Sequence, residues 1–204
     1  MRWLPEPDPG TPVCLGFDGS DVSDWTVIRA ETLDGFLFTP RWADGGSLWN
    51  PVEHPGGRVP RLEVSACVDE LFDRFQVERM YCDPPGWQSE IESWALRHGQ
   101  EHVIRWETYR PLPMHGAVER FVSDLTSGLI THDGCPDATR HIENARVSPR
   151  KDGRYMLAKP DRDRKIDAAV TSVLAHEAAA DARASGWGEE GPVDRRVWCF
   201  GWDD

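Results

Sequence analysis

The chain has 204 residues, 39% of them hydrophobic and ten of them tryptophan, which suits one domain with a substantial core. No apolar run approaches the roughly 18 residues of a membrane span, which excludes a transmembrane helix. The formal net charge of −12 argues against a phosphate-binding protein if the charge is spread evenly.

The opening "MRWLPEPDPGTPV" lacks an apolar core and is rich in proline, so residues 1–12 read as a lead-in and not as a secretory signal. Segments 13–18, 25–31 and 35–41 are short, β-branched or aromatic, and are separated by Gly19-Ser20 and Asp34-Gly35. That pattern predicts an antiparallel meander of three strands. Val64, Cys67, Val68, Leu71 and Phe75 then fall at helical spacing, and "VERMYCD" reads as a fourth strand ending on Asp83. "PPGWQSEIESWALRHG" predicts a helix with prolines at its start and Gly99 at its end. A strand over "EHVIRWET", a helix over 112–128 and a hairpin over 146–158 turning at Lys151-Asp152-Gly153 follow. The last element is a helix from Ile166 to about Ala184, with Val170, Val173, Leu174 and Ala178 on its apolar face. Residues 13–184 are thus expected to form one mixed α/β domain, and 185–204 an acidic, aromatic tail. The five cysteines, at 14, 67, 82, 135 and 199, are odd in number and lack C-x-x-C spacing, which fits buried apolar fillers in a reducing cytosol.

Three acids occupy element ends. Asp18 closes the first strand, Asp83 the fourth, and Asp167 lies in the first turn of the last helix. Alone, Asp18 before Gly19-Ser20 is an ordinary turn residue. Neighbouring strand ends and a helix packed on the sheet would instead bring the three carboxylates together, which is costly unless a cation neutralises them. Hard oxygen ligands favour Mg²⁺ or Mn²⁺. Asp21 and Asp24 read as turn and strand-start residues with a supporting role around the metal as the alternative, His132 and Asp133 as turn or core hydrogen-bonding groups, Asp163 as solvated surface or else an aid to a metal, and Trp87 and Trp94 as core.

The charge is uneven. Between Arg140 and Lys165 lie nine of the 23 basic residues against four acids, so this window carries +5 and the remainder −17. Within it Arg150, Lys151, Arg154, Lys159, Arg162, Arg164 and Lys165 are candidate phosphate contacts.

The blocks "LGFDGSDVSDWT", "MYCDPPGWQ", "ITHDGCPDATRHIENARV" and "LAKPDRDRKIDAAVTSVLAHEAA" occur in the order found in a known family. Together they resemble the nuclease domain of the large terminase subunit of tailed bacteriophages, over roughly residues 13–180. The resemblance implies a ribonuclease H-like fold with a mixed sheet of five or more strands flanked by helices. It implies that Asp18, Asp83 and Asp167 bind two Mg²⁺ or Mn²⁺ ions. It also implies cleavage of concatemeric double-stranded viral DNA in the host cytoplasm, with an ATPase motor, a small terminase subunit and a portal as partners and no membrane. The motor's phosphate loop, G-x-x-x-x-G-K-[ST], is missing from these 204 residues, whose three lysines follow Arg150, Ala158 and Arg164. An excised domain, a separately encoded half and a motor-less relative all fit that departure. A junction resolvase or transposase of the same fold, and a non-catalytic interaction module, remain the alternatives.

Overall fold

The computed structural model describes residues 2–150 and 153–189. β1 (Pro12–Asp18) and β2 (Thr26–Thr32) are buried on both faces, as central strands must be when helices cover both sides of a sheet. β3 (Phe36–Phe38) completes the meander, and β6 (Leu48–Trp49) also pairs with β2. β7 (Gln76–Cys82) and β8 (Val103–Arg105) add parallel strands beyond β1, and β9 (Thr131–His132) lies parallel to β3. The order is β8-β7-β1-β2-β3-β9, a seven-stranded mixed sheet once β6 is included. The expectation of a mixed sheet of five or more strands flanked by helices is met.

Strand alternation sorts the side chains onto two faces. Val13, Leu15 and Phe17 of β1 join Ile28, Ala30, Phe38 and Met80 in a core closed by α1 (Arg61–Arg74) and α2 (Gln88–His98). There the Phe17 ring meets Trp87 and Trp94 edge-on at 5.2 and 5.0 Å, so both tryptophans are core residues. Cys14, Gly16 and Asp18 point to the opposite face. That face is covered by α5 (Asp167–Ala184), flanked by α3 (Pro111–Thr126).

α5 lies directly on the sheet because β1 offers no side chain at Gly16: a Cβ there would stand 2.3 Å from the Thr171 carbonyl oxygen. Charged groups fix the helix along its length. Glu31, fully buried in β2, lies 2.8 Å from His176 Nδ1 and accepts from Arg183 at 2.9 Å, both on α5. The other ring nitrogen of His176 lies 3.1 Å from Asp124 on α3.

The elements depart from the sequence pattern where chain segments are too short to show periodicity. Residues 35–41 hold only the three residues of β3. Arg41–Trp42 (β4) folds back on Gly45–Gly46 (β5) as a separate ribbon. The strand expected over "EHVIRWET" is restricted to β8. One helix, α4 (Pro136–Asn144), gave no signal, because Ala138 and His141 are its only buried side chains. The hairpin is present as β10 (Arg146–Pro149) paired with β11 (Tyr155–Ala158), while its turn residues Lys151 and Asp152 lie outside the described residues.

The lead-in packs on the domain. Trp3 Nε1 donates to Asp133 at 3.0 Å, and the same buried carboxylate accepts the Thr39 and Cys135 amides. Arg29, also buried, lies 3.4 Å from it, so Asp133 is the core hydrogen-bonding group its sequence context suggested. Among the described residues the four cysteines are free and buried, and no helix is long and apolar enough to cross a membrane. Cys199 and most of the expected tail, residues 190–204, lie outside them.

Candidate metal centre and nucleic-acid face

Register places the acids. β1 and β7 run parallel with Gly16 opposite Tyr81 and Phe17 opposite Cys82, so one step further Asp18 and Asp83 leave neighbouring strand ends on the same face. That face is the one α5 covers, and α5 begins at Asp167. Sequence alone named all three.

The electrostatics record their proximity. Burial of Asp18, then the charges of Asp167, Asp83 and Asp24, push its carboxyl well above the usual carboxylate range. Burial and the neighbouring Asp24 raise Asp167 to about 6, against hydrogen bonds from the Trp25 and Asp167 amides. Burial also raises Asp83, opposed by Thr108, whose amide (3.1 Å) and hydroxyl (2.6 Å) each donate to one of its oxygens.

The donor set fits a hard divalent cation in chemistry: three carboxylates whose charges destabilise one another, and a buried Asp167 Oδ2 with no hydrogen-bond partner. Among the described residues no group of three or more His, Cys, Asp or Glu side chains is arranged to hold a metal ion as it stands.

Two further groups surround the acids, of which His141 escaped the sequence reading. Asp24 was assigned to a strand start, yet its Oδ1 accepts from Lys159 at 2.7 Å and Lys165 at 2.9 Å. Those two lysines hold it below the usual carboxylate range despite its burial. His141, on the unforeseen α4, lies with Nδ1 3.9 Å from Asp167 Oδ2. This is no ion pair: burial lowers the imidazole to about 4, and Nδ1 accepts the Ala168 amide at 3.1 Å.

No family model matches the chain. The Gene 13 protein of Mycobacterium phage D29 is 32% identical over 186 residues, covering 85% of this chain, which spans only 30% of that protein's length. Among solved structures, the HK97 bacteriophage large terminase superposes with a TM-score of 0.65 at 16% identity, over 87% of this chain and 41% of that one. The large terminase nuclease from thermophilic phage G20c, with bound magnesium, superposes with a TM-score of 0.62 at 12% identity, over 87% and 90%.

The fold is that of a large terminase nuclease domain. It is ribonuclease H-like, as the four sequence blocks implied.

On this terminase nuclease fold the basic stretch is split in use. Lys159 and Lys165 turn inward to Asp24. Arg164 Nε lies 3.4 Å from Asp161 on the surface, and Arg150 and Arg162 are exposed. Arg154 is half-buried at the base of β11, and Lys151 lies outside the described residues. A segment joining β11 to α5 therefore carries cations from the surface to the acids in fewer than ten residues.

Proposed function

We propose that the chain is a divalent-metal-dependent endonuclease that cuts double-stranded viral DNA during genome packaging. The observation that carries this is the convergence of Asp18, Asp83 and Asp167 at the ends of β1 and β7 and the start of α5, with one buried oxygen of Asp167 left without a partner. The likeness to terminase nucleases, one of them solved with magnesium, supports the choice of chemistry.

In this reading Asp18, Asp83 and Asp167 hold two Mg²⁺ or Mn²⁺ ions, Asp18 between the other two because its strand is the central one. When bound, the ions supply an activated water and neutralise charge on the leaving 3′ oxygen. The chain's residues do the rest. Thr108 orients Asp83 through two hydrogen bonds. Asp24 holds Lys159 and Lys165 beside the acids, where their ammonium groups offset charge on a phosphodiester. Arg150, Lys151, Arg154, Arg162 and Arg164 draw the DNA backbone towards that end of the sheet. A motor, a small subunit and a portal would act with it in the host cytoplasm, the motor keeping DNA at high local concentration. Residues 1–12, 13–184 and 185–204 serve as lead-in, nuclease domain and tail.

The test is plasmid digestion with Mn²⁺, with and without chelator. Cleavage that chelator abolishes supports the proposal, and an intact plasmid at millimolar Mn²⁺ rejects it.

A further inference from the structure

A cavity of about 300 Å³ opens beside His141. Trp25, Arg140, His141, Asn144, Asp163 and Lys165 contribute to its walls. α4 supplies three of these within five residues, at the helix positions that also bring His141 against α5.

His141 is only 1% exposed, and its ring is committed on one side. Because Nδ1 accepts the Ala168 amide, the ring proton resides on Nε2, on the opposite edge of the imidazole. Among the described residues Nε2–H has no hydrogen-bond partner. Trp25 packs edge-on against the same ring at 4.8 Å, so an imidazole and an indole stand together in the cavity lining. Asn144 Nδ2 donates to the Lys165 carbonyl at 3.0 Å, which fixes the α4 end of the cavity to the segment entering α5.

The chemistry selects an anion. The imidazole N–H and the Arg140 guanidinium are donors that cannot ligate a cation in these states, the Lys165 ammonium is committed to Asp24 and to the Ser23 and Arg162 carbonyls, and Asp163 is the one acid among the six. Arg140 is tied only to Asp137 at 3.1 Å on the surface of its own helix, and is 62% exposed, so it is free to turn to a ligand at little cost. An indole wall suits a ring-bearing anion better than a bare one.

We propose that this cavity is a subsite for the nucleotide adjoining the phosphodiester at the carboxylates, with Arg140 at its phosphate, His141 Nε2–H donating to it, and Trp25 against its ring. This rests on the nuclease reading for what lies at Asp167, and deepens it by naming where the substrate strand goes next. His141 is thereby the partition between the two sites: one ring edge on the helix that carries Asp167, the other on the neighbouring nucleotide.

The experiment is a titration of the ¹⁵N-labelled indole and imidazole resonances of the whole chain, without divalent metal, with the dinucleotide pdTpdT and separately with inorganic phosphate. The expected result is a saturable shift of the Trp25 and His141 resonances with pdTpdT, at least tenfold tighter than with phosphate. No shift at these residues, or equal affinity for phosphate, overturns the proposal. A second arm measures duplex affinity of Arg140→Ala, where loss of one charge-assisted contact should weaken binding about tenfold and leave Mn²⁺ affinity unchanged. Unaltered duplex affinity overturns it. The two readings fail separately: a protein that shows the shifts but never cuts DNA rejects the nuclease, and one that cuts DNA without the shifts rejects the subsite alone.

Discussion

A methyl group on Gly16 would stand 2.3 Å from the carbonyl oxygen of Thr171 and 2.6 Å from the amide nitrogen of Ala175. Both neighbours are backbone, so no rotamer change relieves the clash, and α5 must lift from β1. Gly16→Ala is expected to cost about 2–3 kcal/mol, at the upper end for overpacking, which in a chain of this size lowers Tm by roughly 5–10 °C. Because α5 carries Asp167, metal-dependent cleavage should fall further than in a variant equally destabilised on the other face, such as Val64→Ala. Calorimetry and plasmid digestion side by side decide it, and wild-type values for both would show that helix and strand have slack between them.

Asp18→Asn, Asp83→Asn and Asp167→Asn should each abolish Mn²⁺-dependent cleavage. Their effects on the metal-free fold should differ. Asp18 and Asp167 are raised by burial and by other acids, so removing either charge stabilises the protein. Asp83 also receives two hydrogen bonds from Thr108, part of which the amide loses, so its variant gains less. Cleavage at the wild-type rate in any one variant removes that residue from the site.

The same carboxyls set a pH dependence whose sign depends on metal. Asp167, raised to about 6, binds its proton more tightly folded than unfolded. Without metal its contribution therefore favours folding as pH falls from about 7 towards 4, and is lost as pH rises through 6. With Mn²⁺ the order inverts, since the ion competes with that proton and binds less well as pH falls through 6. Melting curves between pH 4.5 and 8, with and without Mn²⁺, should diverge as pH rises. Parallel curves would place the ion elsewhere.

The fold and the placement of the three candidate acids at neighbouring element ends were legible for identifiable reasons. β1 and β2 are short β-branched or aromatic runs bounded by turn residues, Asp18 and Asp83 sit where an apolar run stops, and α5 is long enough for its period to show. The partners of Asp24 were not legible, because Lys159 and Lys165 lie more than 130 positions away, which no local pattern reports. His141 was missed because α4 buries little besides Ala138 and His141 itself, leaving no apolar stripe. The orientation of α5 depends on a glycine and on Glu31, a fully buried acid in a central strand.

ATP should neither be hydrolysed by these 204 residues nor raise their melting temperature, since a ligand that binds the native state must stabilise it. The phosphate loop it would need is missing from the sequence. A metal-independent shift with ATP would reveal a nucleotide site of another design.

The final prediction concerns how a chain of charge −12 holds DNA. Asp24 neutralises two cations that stand nearest the acids, accepting from Lys159 at 2.7 Å and Lys165 at 2.9 Å. Asp24→Asn keeps the side-chain size and removes the charge, leaving both ammonium groups to a phosphate. Each phosphate contact adds about 0.9 to the slope of log affinity against log salt, so duplex binding should tighten and its salt dependence steepen by up to twice that amount. The opposite change comes from the hairpin. Reversing charge at Arg150, Lys151 and Arg154 should weaken binding and flatten the slope, with Mn²⁺ affinity unchanged. Fluorescence anisotropy with Ca²⁺ in place of Mn²⁺, from 50 to 300 mM salt, reads both. If the Asp24 variant and the hairpin triple variant each bind as the wild type does, with its slope, the stretch from Arg140 to Lys165 is solvated surface and the duplex enters over another face.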